Sequence, residues 1–480
     1  MRSLKVVFPF LLFLLLFVPQ GTRAKKVVSY TSTADGSLFF QKSSLPFGKE
    51  PLGSRLVRID AGTHFQKMDG FGAALTGSSC YNLMRMTPED RKAFLQQTFS
   101  KKKGLGFSYI RISIGCSDFS LSDYTCCDTP GIEHFALTDE EKNYVIPVLK
   151  EILKLQPELK ILASPWTCPR WMKVDNLQSL KPFDSWTDGQ LNPRYYQDYA
   201  TYFVRWIRAF QEAGIPIYSV TVQNEPLNRG NSASLFMGWQ EQQKFIAEAL
   251  GPAFQKAGLS TKIYAFDHNY NYDCLPEQQQ YPLRVYDNEK AASFLSGAAY
   301  HNYGGNRQEL LRIGVERPDK ELIFTETSIG MWNDGRNLAK RLPEDMREVG
   351  LGTVQNGCRA VIVWNLMLDN ERGPFRPGGC GTCYGAVDID RSNYHTLFYN
   401  SHYYLIGHLS CVVRPGAVRL STNEQSGLMT CAFLNPDGSI ALVVLNEKPR
   451  PISFSFTTDG LYYAAADLPA YSVTSYIWKP

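Results

Sequence analysis

Between Phe65 and Leu368, short runs of β-branched and aromatic residues alternate with longer amphipathic ones, and the alternation repeats eight times. The strand-like runs are Gly70–Leu75, Tyr109–Ile114, Lys160–Ser164, Ile217–Gln223, Lys262–Asp267, Ala298–Tyr303, Glu321–Glu326 and Arg359–Leu366. Helical patterns separate them, as at Pro88–Thr98, Thr138–Leu155, Pro193–Ala213 and Trp239–Ala257. Near-continuous apolar strands are buried on both faces, and regular strand–helix alternation makes neighbouring strands parallel. Eight such units predict an α/β fold of the (β/α)8, or TIM-barrel, kind. The competing arrangement is an open doubly wound sheet. It would normally carry a Gly-rich phosphate turn after its first strand, and Gly70-Phe71-Gly72 lacks that spacing.

The segments on either side of the barrel have a different character. Val27–Thr31 and Arg55–Asp60 precede it as strand-like runs. After Pro415 come Ala417–Ser421, Gly427–Leu434, Ser439–Asn446, Ile452–Thr457 and Ser472–Trp478, with Asn435-Pro436-Asp437-Gly438 as a hairpin turn between two of them. Neither flank has enough strands to close a sandwich alone, so the two are expected to join in one β-sandwich beside the barrel. The expected division is 1–24 as a signal peptide, 25–64 as the first sandwich strands, 65–404 as the catalytic barrel and 405–480 as the rest of the sandwich.

The leader reading rests on Arg2 and Lys5, the apolar run Val6–Val18 and the closing Thr22-Arg23-Ala24. It implies a secreted or periplasmic protein. No Asn-x-Ser/Thr acceptor occurs anywhere in the chain, which leans toward a bacterial source. Three of the basic residues behind the net charge of +4 lie in this leader, which leaves +1 on the remaining chain. A nucleic-acid partner therefore has no compositional support, and no obligatory protein partner is evident. Eleven cysteines are an odd number at irregular spacing, and Cys380-x-x-Cys383 is the one CxxC. A structural zinc site usually needs two such pairs, so buried thiols with one or two bridges are expected and no metal.

In a TIM barrel the catalytic groups stand at the carboxyl ends of the strands. The fourth candidate strand ends Gln223-Asn224-Glu225-Pro226 and the seventh ends Thr325-Glu326-Thr327. Two carboxylates are thereby set on one rim, facing across the barrel mouth. Hydrolysis of a glycosidic bond needs such a pair, one group to protonate the leaving oxygen and one to attack or to activate water. Asn224 is placed to bond a sugar 2-hydroxyl. A Glu at one strand end is ordinarily a rim salt bridge; two of them, one inside Asn-Glu-Pro, are a far stronger signal.

These residues carry a resemblance. The segments Met68–Thr76, Tyr109–Ser113, Cys116–Ser120, Leu162–Thr167 and Val222–Pro226 resemble glycoside hydrolase family thirty, which contains lysosomal glucosylceramidase and endo-β-1,6-glucanases. The resemblance implies Glu225 as acid/base and Glu326 as nucleophile. It also implies Arg111 and Tyr303 beside the nucleophile, Trp166 and Trp364 as aromatic walls of the sugar pocket, and no cofactor. Members like glucosylceramidase have Asp where this chain has Gly77. Together with Asn224–Gly230 and Phe266–Asn269, that departure looks like the β-1,6-glucanase branch, with Asn228, His268 and Asn269 as candidate substrate contacts. Gly77 is expected to lower the pocket wall and let a glucan chain pass. The implied function is retaining hydrolysis of a β-glucan or β-glucoside. A glucosylceramidase-like exo-β-glucosidase is the alternative, a barrel that only binds glycans is the non-enzymatic one, and a cysteine-ligated metalloenzyme is a remote third.

Overall fold

The computed structural model describes residues 26–480, so the leader lies outside the described residues. Among the described residues no helix is long and apolar enough to cross a membrane.

Eight parallel strands form the central sheet: β1 (Gly70–Ala73), β2 (Tyr109–Ile114), β3 (Lys160–Pro165), β4 (Ser219–Thr221), β5 (Lys262–Asn269), β6 (Leu295–His301), β7 (Glu321–Glu326) and β8 (Cys358–Val363). They follow one another in chain order, and β8 pairs with β1. The circle closes between β1 and β2, where the Leu75 N–H donates to the Arg111 carbonyl at 2.8 Å and the Ser108 N–H to the Phe71 carbonyl at 2.9 Å. A Cβ at Gly72 would lie 2.0 Å from the Tyr109 carbonyl oxygen. The glycine pair of β1 thus serves the close approach of two strands, not a phosphate.

Alternation along the strands sorts side chains into the barrel interior and the helix-facing shell. Tyr109, Leu162, Tyr264, Ala299, Ile323, Ala360 and Ile362 form an interior apolar cluster. Two residues further along β2, β3, β6 and β7, the inward positions become polar: Arg111, Ser164, His301 and Thr325, with Thr221 of β4 at the same level, bonded to Ser164 and Asp267. On β5 the step is three residues, because a register shift between Phe266 and His268 interrupts pairing with β6. Phe266 and Asp267 both have left-handed φ there, 69° and 77°. The irregularity keeps Phe266 in the outer core and aims Asp267 inward.

The surrounding helices bury one stripe each. Helix Tyr196–Glu212 shows why: Tyr196, Tyr199, Ala200, Phe203, Trp206, Ile207 and Phe210 recur at three- and four-residue spacing and are all buried. It stops where Gly214 adopts φ 82°.

The β domain is a single closed arrangement of nine strands, ordered Lys26–Thr33, Gln41–Gly48, Tyr463–Leu468, Ile452–Thr457, Leu56–Lys67, Val418–Thr422, Leu428–Leu434, Ile440–Asn446 and Ser472–Trp478. Both flanks of the barrel contribute, as the sandwich reading requires: Lys26–Thr33 pairs with Ser472–Trp478, and Leu56–Lys67 with Val418–Thr422. The expected boundary after residue 404 falls inside helix Ser401–Ser410, every residue of which is buried. This helix packs on β1 and β8 and also touches Ser472–Trp478, so it belongs to the barrel wall and to the seam between the domains.

Cys380 and Cys383 form a disulfide with Cα atoms 5.7 Å apart, and the other nine cysteines are free, Cys274 alone being exposed. The CxxC pair is thereby removed as a zinc half-site.

Candidate active site

A cavity of about 400 Å3 opens at the carboxyl ends of the barrel strands, with Glu225 and Glu326 facing into it. Both are nearly buried, at 7% and 6% exposure. A ring nitrogen of His301 and one carboxylate oxygen from each glutamate all lie within 4.8 Å of one another. Two larger hollows surround Phe65 and Arg419, on the β domain and at the amino ends of the strands, and hold no such buried pair.

Glu326 ends β7. Arg111 donates to its Oε2, and the Tyr303 hydroxyl donates to Oε1 at 3.0 Å. Glu225 follows β4 in a left-handed turn, φ 44°, with its N–H bonded to the Asp267 carbonyl at 3.0 Å. A non-glycine residue held in that region costs energy, and such strain concentrates at functional sites. Asn228 donates to Glu225 Oε2 at 2.8 Å and Asn231 to the same atom at 3.3 Å.

Beneath the pair lies the polar layer of the barrel interior. Asp267 is its hub: Arg111 donates at 2.8 Å and Thr221 at 2.6 Å to Oδ2, while Thr325 at 2.5 Å and His301 Nε2 at 3.0 Å meet Oδ1. Burial alone would raise the Asp267 carboxyl, but Arg111 and His301 hold it far below the ordinary carboxylate range. His301 Nδ1 faces Glu225 Oε1 at 3.3 Å. Burial alone would lower His301; the charges of Glu326 and Asp267 and the bonds to Asp267 and Glu225 push it up to about 9. Glu225 would be raised by burial, yet the His301 hydrogen bond and the charges of His268 and His301 keep it low. Burial does raise Glu326, against the pull of His301 and Arg111.

The raised value of His301 has a consequence for stability. Its folded value lies above the ordinary 6.5, so its stabilisation is fully present below pH 6.5 and is lost as pH rises through about 9. His301→Gln is expected to unfold at lower denaturant than wild type at pH 6, with the gap closing toward pH 10. A gap that stays constant across that range would show that His301 is not charged in the folded protein.

The structure sorts the sequence candidates. Asn228, Asn269, Tyr303 and Trp364 line the cavity with the two glutamates. Tyr303 lies two residues past the end of β6, 43% exposed, with its hydroxyl on the nucleophile candidate. Asn269 is tied to the Tyr303 N–H and to Asp273. Asn224 is 2% exposed and does not line the cavity; its Oδ1 accepts from Arg111 at 2.7 Å, beside the two glutamates. Three further candidates lie outside the cavity lining. Arg111 stands beside Glu326 as expected, but mid-strand and fully buried, bound to Glu326, Asp267, Asn224 and Ser164, so it positions carboxylates from below the cavity. Trp166 lies behind Trp364, ring centroids 5.0 Å apart, and of the two only Trp364 lines the cavity. His268 is 1% exposed and holds the Leu227 N–H and the Asp273 carboxylate, so it braces the Glu225 loop from outside the cavity.

Gly77 is a correction. It opens no gap in the pocket wall, because a Cβ there would sit 1.7 Å from Oε1 of Glu140, whose buried carboxyl fills that space. Sequence reasoning missed Asp118, which lines the cavity with an Oδ1 lacking any partner and is pushed well above the carboxylate range by burial and by Glu326 and Glu225. It also missed His301 and Asp267. The available signal was a charged residue at an inward position of an otherwise apolar strand. Among the described residues Glu225, His301 and Glu326 are the one cluster with metal-ligand spacing. Its atoms already take hydrogen bonds from Arg111, Tyr303 and Asn228.

A (β/α)8 barrel that holds two carboxylates this close on its strand-end rim is built for glycoside hydrolysis. The chain belongs to glycosyl hydrolase family 30: the family's TIM-barrel domain matches residues 68–413 and its beta sandwich domain residues 416–476. It is 31% identical over 435 residues to an endo-1,6-beta-D-glucanase of Trichoderma harzianum, covering 86% of this chain and 84% of the relative. It is 27% identical over 458 residues to the lysosomal acid glucosylceramidase of Mus musculus, covering 88% and 83%. Among solved structures, the endo-beta1,6-glucanase BT3312 superposes with a TM-score of 0.92 at 59% identity, over 95% of this chain and 100% of that one. The protein is a glycoside hydrolase.

Proposed function

We propose that the protein is an exported, retaining endo-β-1,6-glucanase. The observation that supports the retaining mechanism is the approach of one carboxylate oxygen of Glu225 to one of Glu326 within 4.8 Å. Retaining enzymes hold the pair about 5–5.5 Å apart, inverting ones about 6.5–9.5 Å, with room for a water between. The β-1,6 linkage is supported by the 59% identity to BT3312 over nearly the whole chain.

In the first step Glu326 attacks the anomeric carbon and forms a covalent glycosyl ester, while Glu225 gives its proton to the departing oxygen. Arg111 and the Tyr303 hydroxyl favour the anionic form of Glu326 before attack. Because Glu225 is held low and His301 is raised, the proton rests on His301 before the reaction, 3.3 Å from Oε1, and passes through Glu225 as the leaving oxygen takes it. The other His301 nitrogen stays on Asp267. In the second step Glu225 takes a proton from water, which attacks the ester carbon and releases the sugar with net retention.

The test is a product profile on β-1,6-glucan, β-1,3-glucan and glucosylceramide. β-1,6-Glucan is expected to be the preferred substrate, giving a spread of oligosaccharides, with mean chain length falling before glucose accumulates. Glucose as the sole early product would overturn the endo reading. Turnover of glucosylceramide above that of the glucan would return the assignment to the second reading, a glucosylceramidase-like exo-glucosidase, which the mouse relative favours.

A further inference from the structure

We infer that Trp332 is a stacking platform for the glucosyl unit next to the one held between Glu225 and Glu326, and so a specificity-determining residue for oligomeric substrate. The inference rests on the β-glucan reading above and names a residue for it.

Trp332 stands six positions after Glu326, in the short helical turn Met331–Asn333 on the β7 side of the mouth. It lines the same cavity as the two glutamates. The pocket around the cleaved bond is aromatic on its inner wall, but Trp364 there is only 2% exposed and backed by Trp166. Trp332 is 53% exposed, a large apolar ring left open at the edge of an acidic cavity. A pyranose has one apolar C–H face, and burying that face against an indole removes apolar surface from water on both partners. The chemistry that fits this ring is therefore a second sugar of the same chain.

The ring is also held in place before any ligand arrives. Ile329 and Gly330 pair antiparallel with Tyr384 and Cys383, and the Met331 N–H donates to the Thr382 carbonyl at 2.9 Å. The Cys380–Cys383 disulfide closes that opposing loop, and both cysteines line the cavity. The six-membered edge of the indole folds over Gly330, where a Cβ would meet Trp332 Cζ3 at 1.9 Å. Gly330 has φ −169°, an extended conformation open to any residue, so its lack of a side chain serves the tryptophan and not the backbone. A platform fixed in this way costs little ordering entropy on binding.

The test compares kcat/KM on β-1,6-linked glucotriose with kcat/KM on β-glucosyl fluoride, which has no second ring. For Trp332→Ala the ratio of the two is expected to fall roughly tenfold or more, as for other buried aromatic anchors, chiefly through KM for the trisaccharide. Trp332→Phe should recover most of it. Gly330→Ala, which leaves the indole in the protein but pushes it from its seat, should lower the ratio as well. In a Glu326→Ala background, the trisaccharide should change tryptophan emission, and Trp332→Phe should shrink that change to the part that Trp364 and the stacked Trp166 contribute. A Trp332→Ala enzyme with the wild-type ratio overturns the inference and leaves the β-glucan reading intact. A wild-type enzyme that cleaves glucosyl fluoride but no β-1,6 oligosaccharide overturns both.

Discussion

Glu326→Ala is expected to lower kcat on β-1,6-glucan by about 10⁴-fold or more, the scale seen when a catalytic nucleophile is removed. The reason is geometric. Glu326 is the carboxylate that Arg111 and Tyr303 both grip, so its two oxygens have fixed directions and the anion is paired before substrate enters. Deleting the side chain opens a space beside the anomeric carbon that a small anion can enter. Azide is expected to restore part of the turnover on an activated aryl β-glucoside. Because the anion then attacks once from the nucleophile's side, the product should be the α-glucosyl azide, with inverted configuration. Loss of the carboxylate also leaves Arg111 without one of its two anionic partners deep in the barrel, although Asp267 remains at 2.8 Å. The melting curve of the variant must therefore accompany the assay. A well-folded Glu326→Ala enzyme with near-wild-type turnover would remove Glu326 from the nucleophile role.

The placement of both glutamates was legible in the sequence because two independent regularities met there. The eightfold alternation marked where strands end, and barrel chemistry is confined to those ends. Glu225 and Glu326 then stood out as carboxylates at the ends of runs that are otherwise apolar. The polar layer below them follows from the same period-two logic, since Arg111, His301 and Thr325 lie two residues beyond Tyr109, Ala299 and Ile323 of the interior cluster. Asp267 does not, because the irregularity at Phe266–Asp267 shifts the alternation by one residue. Such a shift arises from two left-handed residues that carry no glycine signal. The missed sandwich strands, Gln41–Gly48 and Tyr463–Leu468, fail for a different reason. Gln41–Gly48 buries no residue and Tyr463–Leu468 only two, so little apolar alternation reports them. Gly77 misled because a missing side chain reads as empty space in one dimension, whereas Glu140, 63 positions away, fills it in three. Trp166 and Trp364 could not be ranked from sequence either. Both follow strand ends, and only packing decides which of two stacked rings meets the ligand.

Glu225→Ala is expected to separate substrates by their leaving groups. On β-1,6-glucan the departing group is a sugar hydroxyl, which leaves only if protonated, and loss of general acid assistance should cost about 10²–10⁴-fold. A dinitrophenyl β-glucoside needs no proton, so its first step should proceed at close to the wild-type rate. The second step still lacks its base, because Glu225 is also the group that deprotonates water. The glycosyl ester on Glu326 should therefore accumulate, seen as a burst of released phenol followed by slow turnover. Azide needs no deprotonation and is expected to accelerate that slow phase. It attacks the covalent intermediate from the opposite side to Glu326, so the product should be the β-glucosyl azide, with retained configuration. The two alanine variants thus predict azides of opposite configuration from one substrate, and only a double displacement with Glu326 as nucleophile gives that pairing. His301 is fully buried, on the far side of Glu225 Oε1, and does not line the cavity, so it cannot donate to the leaving oxygen in place of the missing carboxyl. Equal losses on the glucan and on the dinitrophenyl glucoside, with no burst, would mean that Glu225 shapes the site without transferring a proton.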